Sequence, residues 1–193
     1  MRTAYLLTTD PNSKRCVFSK NILEKIGFTV EIVQAIPDPD NVLSNKKTMQ
    51  SIYYKIQQGN CYGYVFEDDV NVLEDIRLDE IIEYESISPV FFYLGMCEYG
   101  FRNAVCTEHI IRNHKVFSKS GNVRGLHAIG LSKRGAELLL EYCKTCFYRY
   151  MDMILEEFST LYPANIVRYD LESDIYGHRG VIFQDRAKFK SEI

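Results

Sequence analysis

In Cys61-Tyr62-Gly63-Tyr64-Val65-Phe66-Glu67-Asp68-Asp69-Val70 an apolar, aromatic run of strand type stops abruptly at three consecutive carboxylates. In open α/β sheets the ligand crevice lies beyond the carboxyl ends of the strands. Acids delivered there sit where a divalent cation and an anionic substrate would meet. Three adjacent anions at the end of a central strand repel one another unless a cation compensates them. Oxygen ligands suit Mg²⁺ or Mn²⁺, which keep several waters and bind substrate phosphates. Strand alternation turns Glu67 and Asp69 to one side and Asp68 to the other, so Glu67-x-Asp69 is the functional pair.

Upstream, residues 4–8 read as a short apolar strand. Asn12 or Ser13 then caps a helix with Phe18, Ile22, Leu23 and Ile26 at three- and four-residue spacing, and Gly27 ends it. Phe28, Val30 and Ile32 alternate with Thr29, Glu31 and Val33, which completes a β-α-β unit with a parallel pair. A second helix starts near Ser44 or Asn45, carries Met49, Ile52, Tyr53 and Ile56 on one face, and stops at Gly59.

Downstream, the pattern predicts an acidic helix over 73–84 and a strand over 90–94 that is apolar throughout and therefore central. From Gly95 to Gly125 the periodicity dissolves, and a structureless stretch of that length serves a site as a lid or binding loop. A strand over 127–131, a helix capped by Ser132, a helix over 152–161 and short strands at 166–169 and 181–183 complete the reading. The alternation of strands and helices predicts an α/β fold, a mixed, mostly parallel central sheet flanked by helices.

The 193 residues fit one domain, 1–193, able to bury roughly 70% of its unfolded surface. A hydrophobic share of 46% with 25% charged residues is that of a folding globular chain. Net charge is −3 and the basic residues are scattered, which excludes a nucleic-acid binder relying on a basic footprint. No run approaches the ~18 apolar residues of a spanning helix, so no membrane span is expected and the location is read as cytoplasmic, host cytoplasm for a viral protein. The six cysteines lack the paired spacing of a secreted scaffold and read as free thiols. Cys143 and Cys146 read as two semi-buried helix cysteines, and Cys97, Cys106, His109 and His114 as a loop with incidental histidines.

Three blocks carry a family resemblance: Ala4-Tyr5-Leu6-Leu7-Thr8-Thr9-Asp10 with Arg15 and Val33-Gln34-Ala35-Ile36; Tyr64-Val65-Phe66-Glu67-Asp68-Asp69-Val70; and Gly125-Leu126-His127-Ala128-Ile129-Gly130-Leu131-Ser132-Lys133-Arg134-Gly135-Ala136-Glu137-Leu138-Leu139. With them the chain resembles glycosyltransferases of the GT-A (Rossmann-like) fold. It is similar to family 25, the lipopolysaccharide and procollagen glycosyltransferases, and to small viral glycosyltransferase domains such as that of a chlorella virus. The third block is the most specific, because its residue order extends well beyond a common acidic triplet.

The resemblance implies a metal-dependent inverting transferase that moves a sugar from a nucleoside-diphosphate sugar, with UDP as carrier, to a hydroxyl of a glycan or glycoprotein. The acidic block would then be the counterpart of the family's D-x-D, with Asp69 a direct ligand of Mn²⁺ or Mg²⁺ and Glu67 a ligand or its orienter. A third ligand near the C-terminus would be His178, flanked by Gly177 and Gly180, for which a surface-loop histidine is the plain alternative. Asp152 would take the acceptor's proton as general base, or serve only as a helix-terminal Asp favoured by the dipole. Leu7, Thr8, Thr9, Arg15, Lys46, Lys47, Ser51, Glu67, Asp68 and His127 would meet the nucleotide sugar, and Arg179 would pair with phosphate. A nucleotidyltransferase is the enzyme rival, but Thr8-Thr9-Asp10-Pro11-Asn12 lacks the glycines of its phosphate loop. A catalytically silent nucleotide- or sugar-binding module is the other.

Overall fold

Strand β1 (Thr3–Thr8) leads into helix α1 (Lys14–Ile26), and β2 (Thr29–Gln34) returns parallel to β1 in the computed structural model, which describes residues 1–98, 104–169 and 177–189. The Ser13 hydroxyl accepts from the Cys16 N–H at 3.1 Å, and Gly27 closes the helix at φ 115°, the left-handed conformation that favours glycine. Helix α2 (Asn41–Gln58) crosses to β3 (Gly63–Glu67), which lies parallel to β1 on its other side. Helix α2 begins earlier than the 44–45 expected from apolar spacing. The Asp40 carboxylate caps the N–H groups of Val42 and Leu43, about two turns ahead of the first core position, Met49.

After the carboxylates come β4 (Val70–Val72), α3 (Leu78–Ser86) and β5 (Phe91–Glu98). The chain continues through β6 (Val105–Ile111), β7 (His114–Lys119), β8 (Val123–Leu131), α4 (Lys133–Thr145) and α5 (Met151–Leu161). It ends in β9 (Ala164–Ile166), β10 (His178–Gly180) and β11 (Ile182–Gln184). The helix expected over 73–84 runs instead from Leu78 to Ser86; ahead of it Val70–Val72 pairs antiparallel with Ile182–Gln184 and the Leu73 N–H donates to the Val181 carbonyl at 3.0 Å, contacts between distant segments that local sequence does not signal.

Among the described residues the large sheet has the order β2-β1-β3-β8-β5-β9-β7-β6, with β10 on β5. Strands β2, β1, β3, β5 and β9 run one way, and β8 lies antiparallel between β3 and β5. The expected mixed α/β sheet between helices is thus present. Met49 and Ile52 of α2, Leu139 of α4 and Phe158 of α5 form the core on one face with Val65. Leu23 and Ile26 of α1 and Ile81 and Tyr84 of α3 form it on the other with Tyr64 and Phe66. Helices on opposite faces of neighbouring parallel strands leave a crevice at the strands' carboxyl ends.

The stretch from Gly95 to Gly125 is not a structureless loop. Its described part continues β5, makes the β6–β7 hairpin and enters β8. Arg112 and Asn113, at φ 46° and 70°, turn the hairpin. Strand β6 lies at the sheet edge and is largely exposed, so its apolar signal is weak. Arg102 and Tyr176 lie outside the described residues. Cys143 is buried in α4, Cys146 ends it, and both are free thiols. No helix among the described residues is long and apolar enough to cross a membrane.

Candidate functional site

The carboxyl ends of β2, β1 and β3 lie side by side, with Leu7 opposite both Val33 and Glu67. Asp68, just past β3, turns toward β1 and α1. One of its oxygens accepts the Thr8 hydroxyl hydrogen, and the other accepts from Arg15 Nε at 2.6 Å. Ser19 of α1 donates to the carbonyl oxygens of Asp68 or Val70, at 2.9 and 3.1 Å. The middle acid is therefore fixed by a cation and a hydroxyl of its own chain.

Its neighbours are held differently. Gln184 Nε2 donates to Glu67 Oε2 at 2.6 Å, and the Asp185 N–H donates to the Asp69 carbonyl at 2.8 Å, so the segment from β11 closes over both acids. Asp69 Oδ1 is buried with no hydrogen-bond partner among the described residues. Burial, then Asp69 and Asp68, push the Glu67 carboxyl up to about 8, against the pull of Arg15 and the Gln184 bond. Burial also raises Asp69, opposed by Arg15 and reinforced by Asp68. Two buried carboxyls raised above the ordinary range, one with an orphaned oxygen, fit a hard divalent ion with oxygen ligands.

An open cleft of about 460 Å³ lies at the ends of β1 and β2, lined by Thr9, Gln34, Ala35, Pro37, Asp38 and Ser44 among others. Gln34 Nε2 reaches the Thr9 carbonyl at 3.4 Å, and the Ala35 N–H donates to the Thr8 carbonyl at 2.8 Å, which sets the floor. Lys46 Nζ donates to the Tyr148 carbonyl at 3.3 Å and Arg149 pairs with Asp40. The α4–α5 connection is thereby held against the start of α2, which walls the cleft. Asp152 follows in the first turn of α5, half-buried, with Oδ1 accepting from the Met153 N–H at 2.8 Å.

The structure thus gathers Thr8, Arg15, Glu67, Asp68 and Asp69 and puts Thr9 in the cleft wall. Lys47 pairs with Asp38 of that wall at 2.7 Å, and the Ser51 hydroxyl donates to the Thr48 carbonyl at 2.7 Å within α2. Leu7 is buried in the core. Arg179 is buried on Glu98, Nε to Oε2 3.1 Å. His178 stands with His127 and Cys97. These three form the one group of three or more His, Cys, Asp and Glu ligand atoms that lie within 4.8 Å of one another among the described residues. Cys106, His109 and His114 sit apart from it on the hairpin. Sequence reasoning missed Gln184 and Asp185, and it set Cys97 aside with Cys106, His109 and His114 as an incidental loop. A polar Gln184-Asp185-Arg186 directly after the last apolar strand was the available signal for the first two.

No family model and no curated protein matches the chain. Among solved structures the chain is similar to a glycosyltransferase involved in the glycosylation of the major capsid of PBCV-1, with 10% identity over 83% of this chain and 74% of that one and a TM-score of 0.49. It is also similar to A197 from STIV, with 14% identity over 86% of this chain and 81% of that one and a TM-score of 0.46. These comparisons do not show membership of family 25.

Proposed function

We propose that the protein is a metal-dependent inverting glycosyltransferase that moves a sugar from a nucleoside-diphosphate sugar, UDP as carrier, to a hydroxyl of a glycan or glycoprotein acceptor. One observation carries the reading: Glu67 and Asp69 are buried acids at the carboxyl end of β3 whose carboxyls burial raises, and Asp69 Oδ1 has no partner among the described residues. The sequence resemblance supplies the reaction class.

In this reading Glu67 and Asp69 hold Mn²⁺ or Mg²⁺. When bound, the ion supplies Lewis-acid stabilisation of the charge that grows on the diphosphate leaving group. The nucleotide lies in the cleft against Thr9 and Gln34. Arg15 keeps Asp68 out of the ligand set, and Gln184 orients Glu67. The acceptor oxygen attacks the anomeric carbon from the face opposite the leaving group as the sugar–diphosphate bond breaks. Asp152, in the first turn of α5, takes the proton that oxygen loses.

Calorimetric titration with UDP, with and without Mn²⁺, tests the reading. Metal-dependent UDP binding is expected in the wild-type protein and not in Asp69→Ala. Unchanged binding in that variant removes the metal assignment. Turnover of one member of a nucleotide-sugar panel separates a transferase from a silent binding module.

A further inference from the structure

Three buried side chains on three adjacent strands point at one another: Cys97 on β5, His127 on β8 and His178 on β10, exposed by 1%, 0% and 2%. Register makes His178 and Cys97 direct cross-strand partners. We propose that Cys97, His127 and His178 form a second metal site, selective for Zn²⁺ or a similarly borderline-soft ion and separate in chemistry from the oxygen-ligand site at Glu67 and Asp69.

Ligand geometry is the first ground. Zinc bonds of about 2.3 Å to sulfur and about 2.05 Å to nitrogen at a tetrahedral angle separate the two ligand atoms by about 3.6 Å. Cys97 Sγ and His178 Nδ1 are 3.7 Å apart. The ligand atoms of all three residues lie within 4.8 Å of one another, so a small inward shift completes the set.

Tautomer is the second. His127 Nε2 lies 3.3 Å from the Ile182 carbonyl, an acceptor only, so Nε2 carries the hydrogen and Nδ1 the lone pair. That Nδ1 is buried without a hydrogen-bond partner among the described residues. A ring whose far N–H is anchored on a backbone carbonyl and whose near nitrogen is a bare acceptor is the arrangement that metal-binding histidines adopt.

Room for the ion is the third. Gly125 adjoins the cluster, and a Cβ there would sit 3.2 Å from Cys97 Sγ and 3.3 Å from His127 Nδ1. A side chain would fill the space where two ligand atoms converge, and glycine leaves it open. Three protein ligands leave a fourth position for water. An ion here would tie β10 to β5 and β8, and with it the β11 segment whose Gln184 holds Glu67.

Co²⁺ is the probe, added to chelator-treated full-length protein. One equivalent is expected to give tetrahedral visible bands and a thiolate-to-cobalt charge-transfer band, both erased by Zn²⁺. Cys97→Ser loses the charge-transfer band, and His127→Gln binds Co²⁺ at least ~100-fold more weakly. Asp69→Asn keeps the spectrum intact, which separates this site from the proposed transferase metal. Zinc-edge X-ray absorption on the wild-type protein needs no variant to fold and should read one sulfur and at least two nitrogen neighbours. A sulfur-free zinc shell, or a charge-transfer band that survives in folded Cys97→Ser, overturns the proposal.

Discussion

The Thr8 hydroxyl donates to an oxygen of Asp68 across 60 residues of sequence, and that bond separates the middle acid of the triplet from its neighbours. With Arg15 on its other oxygen, Asp68 joins β1 and α1 to the end of β3. Asp69 has no such commitment at Oδ1. The two adjacent acids should therefore respond in opposite ways. Asp68→Asn weakens the buried contacts to Arg15 and the Thr8 hydroxyl and is expected to cost about 2–4 kcal/mol of stability. Asp69→Asn removes a buried acid with an unpartnered oxygen and should change stability by less than about 1 kcal/mol, while Mn²⁺-dependent UDP binding falls below detection. Urea unfolding and calorimetry on both variants check the contrast, and equal stability losses would contradict it.

The raised Glu67 carboxyl makes stability depend on pH. Its folded value of about 8 stands above the ordinary 4.5, so the folded protein binds the extra proton between those values. This group's contribution is fully present below pH 4.5 and is lost as pH rises toward 8. The metal-free protein is expected to melt at progressively lower temperature across that window, and Glu67→Gln should flatten the slope. Mn²⁺ must displace the proton, so its apparent affinity should climb with pH up to about 8. Melting curves at several pH values, with and without Mn²⁺, read both effects. A slope of opposite sign, or one unchanged in Glu67→Gln, would sink the assignment.

What was legible in the sequence follows from what is local. Ser13, Gly27 and Ser132 announce helix ends through bonds within four residues, and those ends stand where expected. The alternation of Tyr64, Val65 and Phe66 across the sheet foretold that Glu67 and Asp68 would face apart. What stayed hidden depends on contacts over long separations. Strand β4 exists through its pairing with β11, and Gln184 meets Glu67 only when that pairing forms. His178 likewise reads as a loop residue until β10 lies on β5, which puts it beside Cys97.

Asp152 provides a kinetic prediction. Among the described residues its carboxylate accepts a hydrogen bond only within its own helical turn, so Asp152→Asn should fold normally and lose less than about 1 kcal/mol. As the proposed base, its loss should lower transfer by roughly 10²–10⁴-fold and leave UDP binding unchanged. Steady-state rates alongside calorimetry separate the two quantities. Transfer at the wild-type rate in this variant would return Asp152 to a helix-terminal role.

Gly135 distinguishes a packing requirement from a helix preference. It stands in the first turn of α4, where its N–H donates to the Ser132 hydroxyl at 2.8 Å, a bond alanine would keep. Propensity alone favours Gly135→Ala by about 1 kcal/mol. A Cβ at this position, however, would lie 2.1 Å from the Val90 carbonyl oxygen, backbone that also receives the Ser132 N–H at 3.0 Å. The helix could accept the methyl only by moving off the strand that follows α3, which opens the packing of Ala136 and Leu139 beneath it. The overpacking should outweigh the propensity gain and leave Gly135→Ala about 1–2 kcal/mol less stable than wild type. A urea midpoint that rises in this variant would show that the glycine is there for some reason other than close approach.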